Sequence, residues 1–180
     1  TTTSEGTDYR SRIAAGGTGP LAVVDCGEGS ADRSRRRHGG GSERPPDGDE
    51  RVRVRAVDSP RDLTDIGLAI NDALGWFDGR GVDRVRVGLL SLTILFSYVD
   101  RRTVFSFCRT LTGRLDRTGA VGLFTLNRPA HDAATLNLIG RAFDGRIEVR
   151  RADDGAATGH EVRVLGLDAL DEDPTPWTPL

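Results

Sequence analysis

The chain has 180 residues, 37% of them hydrophobic, and a formal charge of −2 from 25 basic and 27 acidic side chains. That length supplies one hydrophobic core, and the near balance of charge excludes a surface-wide basic field of the kind that holds nucleic acid without sequence preference. Every basic residue is Arg, so a Lys Schiff base and a phosphate-loop Lys are excluded as well.

Leu21 to Asp25 (LAVVD) form an apolar run after Gly-Pro and before Gly27, which predicts a buried strand. Gly27 to Glu50 carry no large apolar residue and are rich in Gly, Ser, Arg and acids, so they read as a mobile insertion. Arg51 to Val57 alternate strictly, which predicts a strand with Val52, Val54 and Ala56 facing inward. Ser59-Pro60 then starts a helix whose apolar face is Leu63, Ile66, Ile70, Leu74 and Phe77, closed by Gly79 and Gly81.

Val85 to Leu92 are almost continuously apolar, as in a strand covered on both faces of a parallel sheet. Asp100 is placed to cap a helix with Val104, Cys108, Leu111 and Leu115 on one face, ended by Gly119. Ala120 to Leu126 predict another buried strand. A third helix is expected near Asp132 to Phe143, with Leu136, Ile139 and Phe143 on its apolar face. GRIEVRR and HEVRVLGL, on either side of Asp154-Gly155, predict an antiparallel hairpin. The divisions are therefore 1–26 as an N-terminal loop and first strand, 27–50 as the insertion, 51–167 as the core, and 168–180 as an acidic, Pro-rich tail. Alternating strands and helices of these lengths imply crossover connections and a mainly parallel sheet.

Cys26 and Cys108 lie in apolar segments and match no CxxC or Cys/His ligand spacing, which predicts buried thiols. No apolar run approaches the roughly 20 residues of a membrane span and no leader pattern opens the chain, so no membrane partner and a cytoplasmic location are expected. A start at Thr-Thr-Thr and the absence of Met read as the downstream part of a longer protein.

The ordered set DSPRDLTDIGLAINDAL, VRVGLLSLTILFSYVDRRTVFSFCRTLTGRLDRTGAVGLFTL, HDAATLNLIGRAFDGRIEVR and PTPWTPL resembles the second half of a RecA-like P-loop ATPase core of the KaiC/RadA type. More narrowly, it is similar to a degenerate RecA-like family of halophilic archaea. The resemblance covers about two thirds of the chain and implies a three-layer α/β/α core with a mainly parallel sheet and a C-terminal antiparallel β-hairpin. In active relatives the central strand ends in Asp followed by Ser, the Asp helping to organise magnesium beside the nucleotide phosphates. Here Leu90 precedes Ser91, and a leucine cannot bind a hard cation. No GxxxxGK[ST] occurs, and AAGGTGP at Ala14 to Pro20 lacks the Lys and leads into a strand rather than a helix N-terminus. Family members begin with two earlier strands, so a phosphate loop is expected upstream of Thr1.

Ser91 and Thr93 fall at the strand end where open α/β sheets place ligands, and serve either as contacts of a vestigial nucleotide cleft or as cap and turn hydroxyls. Asn127 and Arg128 follow the next strand and are nucleotide-cleft candidates by resemblance, while NRPAHD also reads as an ordinary loop with an Asp cap. A Ser91–His131–Asp132 hydrolase triad finds no support in spacing. Arg33, Arg35, Arg36 and Arg37 are nucleic-acid-binding candidates, but flanking acids and the lack of interleaved aromatics favour a solvated loop. Trp177 is placed to pin the tail to the domain or to a partner.

The sequence thus predicts a non-catalytic RecA/KaiC-like regulatory or protein-interaction domain, with no catalytic residue, metal or cofactor and with a protein partner. Two other readings remain open. One is an ATPase that takes ATP and magnesium and whose phosphate loop lies upstream; the other is a nucleic-acid binder using the Arg-rich loop.

Overall fold

The computed structural model describes residues 19–26, 51–152, 159–167 and 174–180. The insertion expected at 27–50, with Arg33, Arg35, Arg36 and Arg37, lies outside the described residues, as do 1–18, the turn at 154–155 and the acidic part of the tail. The chain divides into two compact units, one comprising Thr1–Asp100 with Arg114–Leu126, the other Arg101–Gly113 with Asn127–Leu180.

In the first unit β1 (Leu21–Asp25) and β2 (Val52–Ala56) pair in parallel, from Leu21↔Val52 to Asp25↔Ala56. α1 (Leu63–Asp78) follows, its start capped by Asp62, whose carboxylate accepts the Asp65 N–H at 2.9 Å. Ile66, Ala69, Ile70 and Leu74 form its buried stripe, while Leu63 and Phe77, expected on the same face, are half-buried. Gly81 ends the segment at φ +66°, a conformation that side chains with a Cβ resist, and its N–H returns to the Asp78 carbonyl at 2.9 Å.

The alternation of β2 does not become alternating burial, because all five of its residues are half-buried. Arg55 explains part of this: its guanidinium forks onto Asp65, at 2.7 Å, and onto Asp72 of α1. A position that alternation assigns to solvent is thereby tied to the helix.

β3 (Arg86–Leu89) is shorter than the strand expected over Val85–Leu92, and its exposure alternates instead of being covered on both faces. It has one described strand neighbour, β4 (Val121–Phe124), paired in parallel from Arg86↔Val121 to Leu89↔Phe124. The face carrying Arg86, Gly88, Val121 and Leu123 is exposed, with Val121 at 65%. On the opposite face a Cβ at Gly122 would meet Leu115 Cδ1 at 2.7 Å, so that helix residue closes onto the strand. The buried strand expected at Ala120–Leu126 is not found: Val121, Gly122 and Leu123 are exposed and Phe124 is half-buried.

After β3 the chain turns directly into α2 (Leu92–Tyr98), and Leu92, expected in the strand, is a helix residue only 1% exposed. α3 (Arg101–Arg117) begins after Asp100 and buries Val104, Cys108, Leu111 and Leu115 at spacings of four, three and four. Parallel strands require such a crossover, and α2 and α3 supply it between β3 and β4.

In the second unit a single 3₁₀ turn (Arg128–Ala130) precedes α4 (Ala133–Gly140), which buries Ile139. β5 (Arg146–Arg151) and β6 (His160–Leu165) pair antiparallel from Arg146↔Leu165 to Arg151↔His160. The tail does not stay apart from this hairpin: β7 (Thr178–Pro179) adds to the far side of β6.

Candidate functional site

The carboxyl ends of β3 and β4 are joined by backbone hydrogen bonds. The Thr125 N–H donates to the Leu89 carbonyl at 3.1 Å, and the Leu92 N–H donates to the Thr125 carbonyl at 2.9 Å. Between these two bonds lie Leu90 and Ser91, joined by a cis peptide. Leu90 is 58% exposed. The Ser91 hydroxyl accepts the Ile94 N–H at 3.4 Å and so serves as the N-cap of α2. Thr93 lies inside that helix, half-buried, with its carbonyl accepting from the Ser97 hydroxyl at 3.3 Å. Of the two readings for Ser91, the geometry is that of a helix cap.

Asn127 and Arg128 belong to the other unit, at the start of the 3₁₀ turn. The Asn127 carbonyl accepts the Ala130 N–H at 3.0 Å, the Arg128 carbonyl accepts the His131 N–H at 3.2 Å, and both residues are exposed. Asp132 accepts the Thr135 N–H at 2.7 Å as the N-cap of α4. Hydrogen bonds from Thr135 hold its carboxyl below the ordinary carboxylate value, with Arg101 and His131 adding to the effect. This carboxylate is engaged as the cap of α4.

Both cysteines are free. Burial pushes the Cys108 thiol up to about 12. Cys26 is only half-buried, yet burial and then the charges of Asp25 and Asp65 push it up to about 11. Neither has the character of a nucleophile.

The arrangement that the sequence did not reveal is on the antiparallel sheet. Arg150 holds Glu161, directly opposite on β6, at 2.8 Å through Nε and 2.7 Å through Nη2. Arg163 forks onto Glu148, also directly opposite, at 2.8 and 2.6 Å, and Arg146 approaches the same carboxylate at 3.1 Å. Over these pairs lies Trp177, whose ring centroid is 4.2 Å from the Arg150 guanidinium carbon and 4.6 Å from that of Arg163. Within the structure, then, Trp177 pins the tail to the chain's own hairpin. The alternating signs in RIEVRR and HEVRV were the available signal for the ion pairs; nothing in either segment points to Trp177.

Among the described residues no group of three or more His, Cys, Asp or Glu is placed to hold a metal, and no helix is long and apolar enough to cross a membrane. A family model matches residues 1–149, and the chain belongs to that family, a family of unknown function (DUF7504). No curated protein matches the chain.

Proposed function

We propose that the chain is a non-catalytic regulatory or protein-interaction domain derived from a RecA/KaiC-like ATPase core, working through a protein partner and without a cofactor of its own. The observation that carries this reading is the end of β3. The position at which an active relative would present a carboxylate to magnesium holds an exposed leucine, and the hydroxyl beside it is engaged in capping a helix. An alkyl side chain has no lone pair to offer a cation, and a serine that accepts a backbone N–H has less freedom to orient a phosphate or a water.

Two parallel strand pairs, with helices following β2 and β3, are compatible with such a core. Exposed Leu90, Ile94, Val121 and Leu123 in the same unit supply apolar surface of the kind that marks protein contacts. The reading is tested by following phosphate release from ATP with magnesium, for the wild type and for Leu90→Asp. The wild type is expected to give no turnover above the protein-free rate. Turnover by the wild type would return the chain to the ATPases and show that another carboxylate holds the metal.

A further inference from the structure

The three-stranded sheet is completed by a strand that the chain supplies from residues 174–180. β7 itself is two residues long, but its segment is held along its length. The Thr175 N–H donates to the Val164 carbonyl at 3.0 Å, and the Thr175 hydroxyl accepts the Val164 N–H at 2.9 Å. The Leu180 N–H donates to the His160 carbonyl at 3.0 Å, and Trp177 lies against Arg150 and Arg163.

Two features suit this edge to exchange its third strand. First, the arginines that receive the indole are positioned without it, because each is bonded to the glutamate directly across the β5–β6 ladder. A departing tail leaves those pairs intact, so the next occupant meets a preorganised surface. Second, the segment PTPWTPL carries no charged side chain, and three of its seven residues are Pro. Proline biases a chain to extended conformations before it docks and lacks the N–H that would recruit a further strand on the outer side. The segment has the properties of a peptide ligand: extended, uncharged and anchored by one aromatic ring.

We propose that the outer edge of β6, with Arg150 and Arg163, is a docking site for an extended, uncharged segment of a partner protein carrying one aromatic side chain, and that Pro174–Leu180 is its built-in competitor. The partner adds a strand where β7 now lies and places its ring on the two guanidinium groups. This goes beyond the pseudo-ATPase reading and does not rest on it, since none of the residues used here lies at the ends of β3 or β4. The hairpin edge also lies beyond the residues matched by the family model.

The test uses the full chain and a fluorescent peptide with the sequence of residues 174–180, followed by anisotropy. Trp177→Ala empties the ring position and leaves the arginines in place, so it is expected to bind the peptide saturably. The wild type is expected to bind it at least about tenfold more weakly, because a tethered tail competes at millimolar effective concentration. A peptide with Ala in place of its Trp is expected to bind neither protein. Thr175→Pro removes both Thr175 hydrogen bonds by another route and is expected to bind the peptide as Trp177→Ala does. Absence of saturable binding by both variants while they remain folded by circular dichroism overturns the proposal. Equal affinity for the Ala peptide overturns it too, as does self-association of Trp177→Ala that the peptide fails to compete away.

Discussion

Both units of the chain bury apolar side chains, the second through Val104, Cys108, Leu111 and Ile139, but they use their polar groups differently. In the first, order comes from apolar stripes and helix caps: Leu92, Leu95, Ile66, Ile70 and Leu74 are buried, and Asp62 and Ser91 start the helices. In the second, one face of an antiparallel sheet is laced by two cross-strand ion pairs with an indole against them, while Ile147 and Val149 of β5 remain exposed. Where polar groups stand at the start of a helix in the first unit they complete secondary structure, as Ser91 does after β3. On the hairpin the polar groups pair across the strands and hold the indole of Trp177. A tail that reads as an unstructured end is engaged by the hairpin.

Substitutions can break this contrast at different depths. The largest loss is expected for Leu92→Ala, which empties the site of a side chain 1% exposed and should cost about 2–5 kcal/mol in denaturant unfolding. Glu148→Ala comes next. It takes a largely covered carboxylate from Arg163 and Arg146, so a loss of about 1–3 kcal/mol is expected, together with a changed Trp177 fluorescence. Arg55→Ala removes a fork whose partners are more than a third exposed, so its cost should stay near or below about 1 kcal/mol and shrink further in molar salt. If Arg55→Ala proved costlier than Leu92→Ala, the description of the first unit as apolar-held would fail.

The smallest effect is a pH dependence at the start of α4. The Asp132 pKa is lowered on folding, so the carboxylate contributes stability that is present above the ordinary value of 3.8 and is lost as pH falls through the lower folded value. Asp132→Asn keeps a cap acceptor without the charge. It is expected to flatten the acid limb of the stability profile below about pH 4 and to lower neutral-pH stability by the small amount that the wild type loses on acidification. An acid limb identical in the two proteins would show that the cap does not titrate as described.

Much of the secondary structure was legible because local signals agree with the tertiary outcome. The stripe Ile66, Ile70, Leu74, the Asp132 cap and the alternation in RIEVRR each specify an element by spacing alone. The end of β3 was harder to read. GLLSLTIL is apolar on either a two- or a 3.6-residue period, and the choice is made by the Ser91 cap and by the Leu92 N–H leaving for Thr125. Arg55 was assigned to solvent since its carboxylate partners stand 10 and 17 residues away, beyond any local pattern. The return of the tail to β6 was invisible for the same reason. A Pro-rich, acidic segment gives no strand signal, and the contacts that order Trp177 come from residues 14 and 27 positions upstream.

The candidate site divides along the same line. That Leu90 precedes Ser91 was readable in the sequence, and the structure adds that Leu90 is exposed and that the Ser91 hydroxyl caps α2. Ser91 and Thr93 could not be separated by sequence, yet one caps the helix and the other lies within it. The arginine pair on the hairpin emerged only from cross-strand register.

The most direct measurement is calorimetric titration of ATP with magnesium into the protein, in low and in high salt. The account predicts no saturable heat at millimolar nucleotide from a protein shown to be folded. A saturable, magnesium-dependent isotherm accompanied by phosphate release would contradict it.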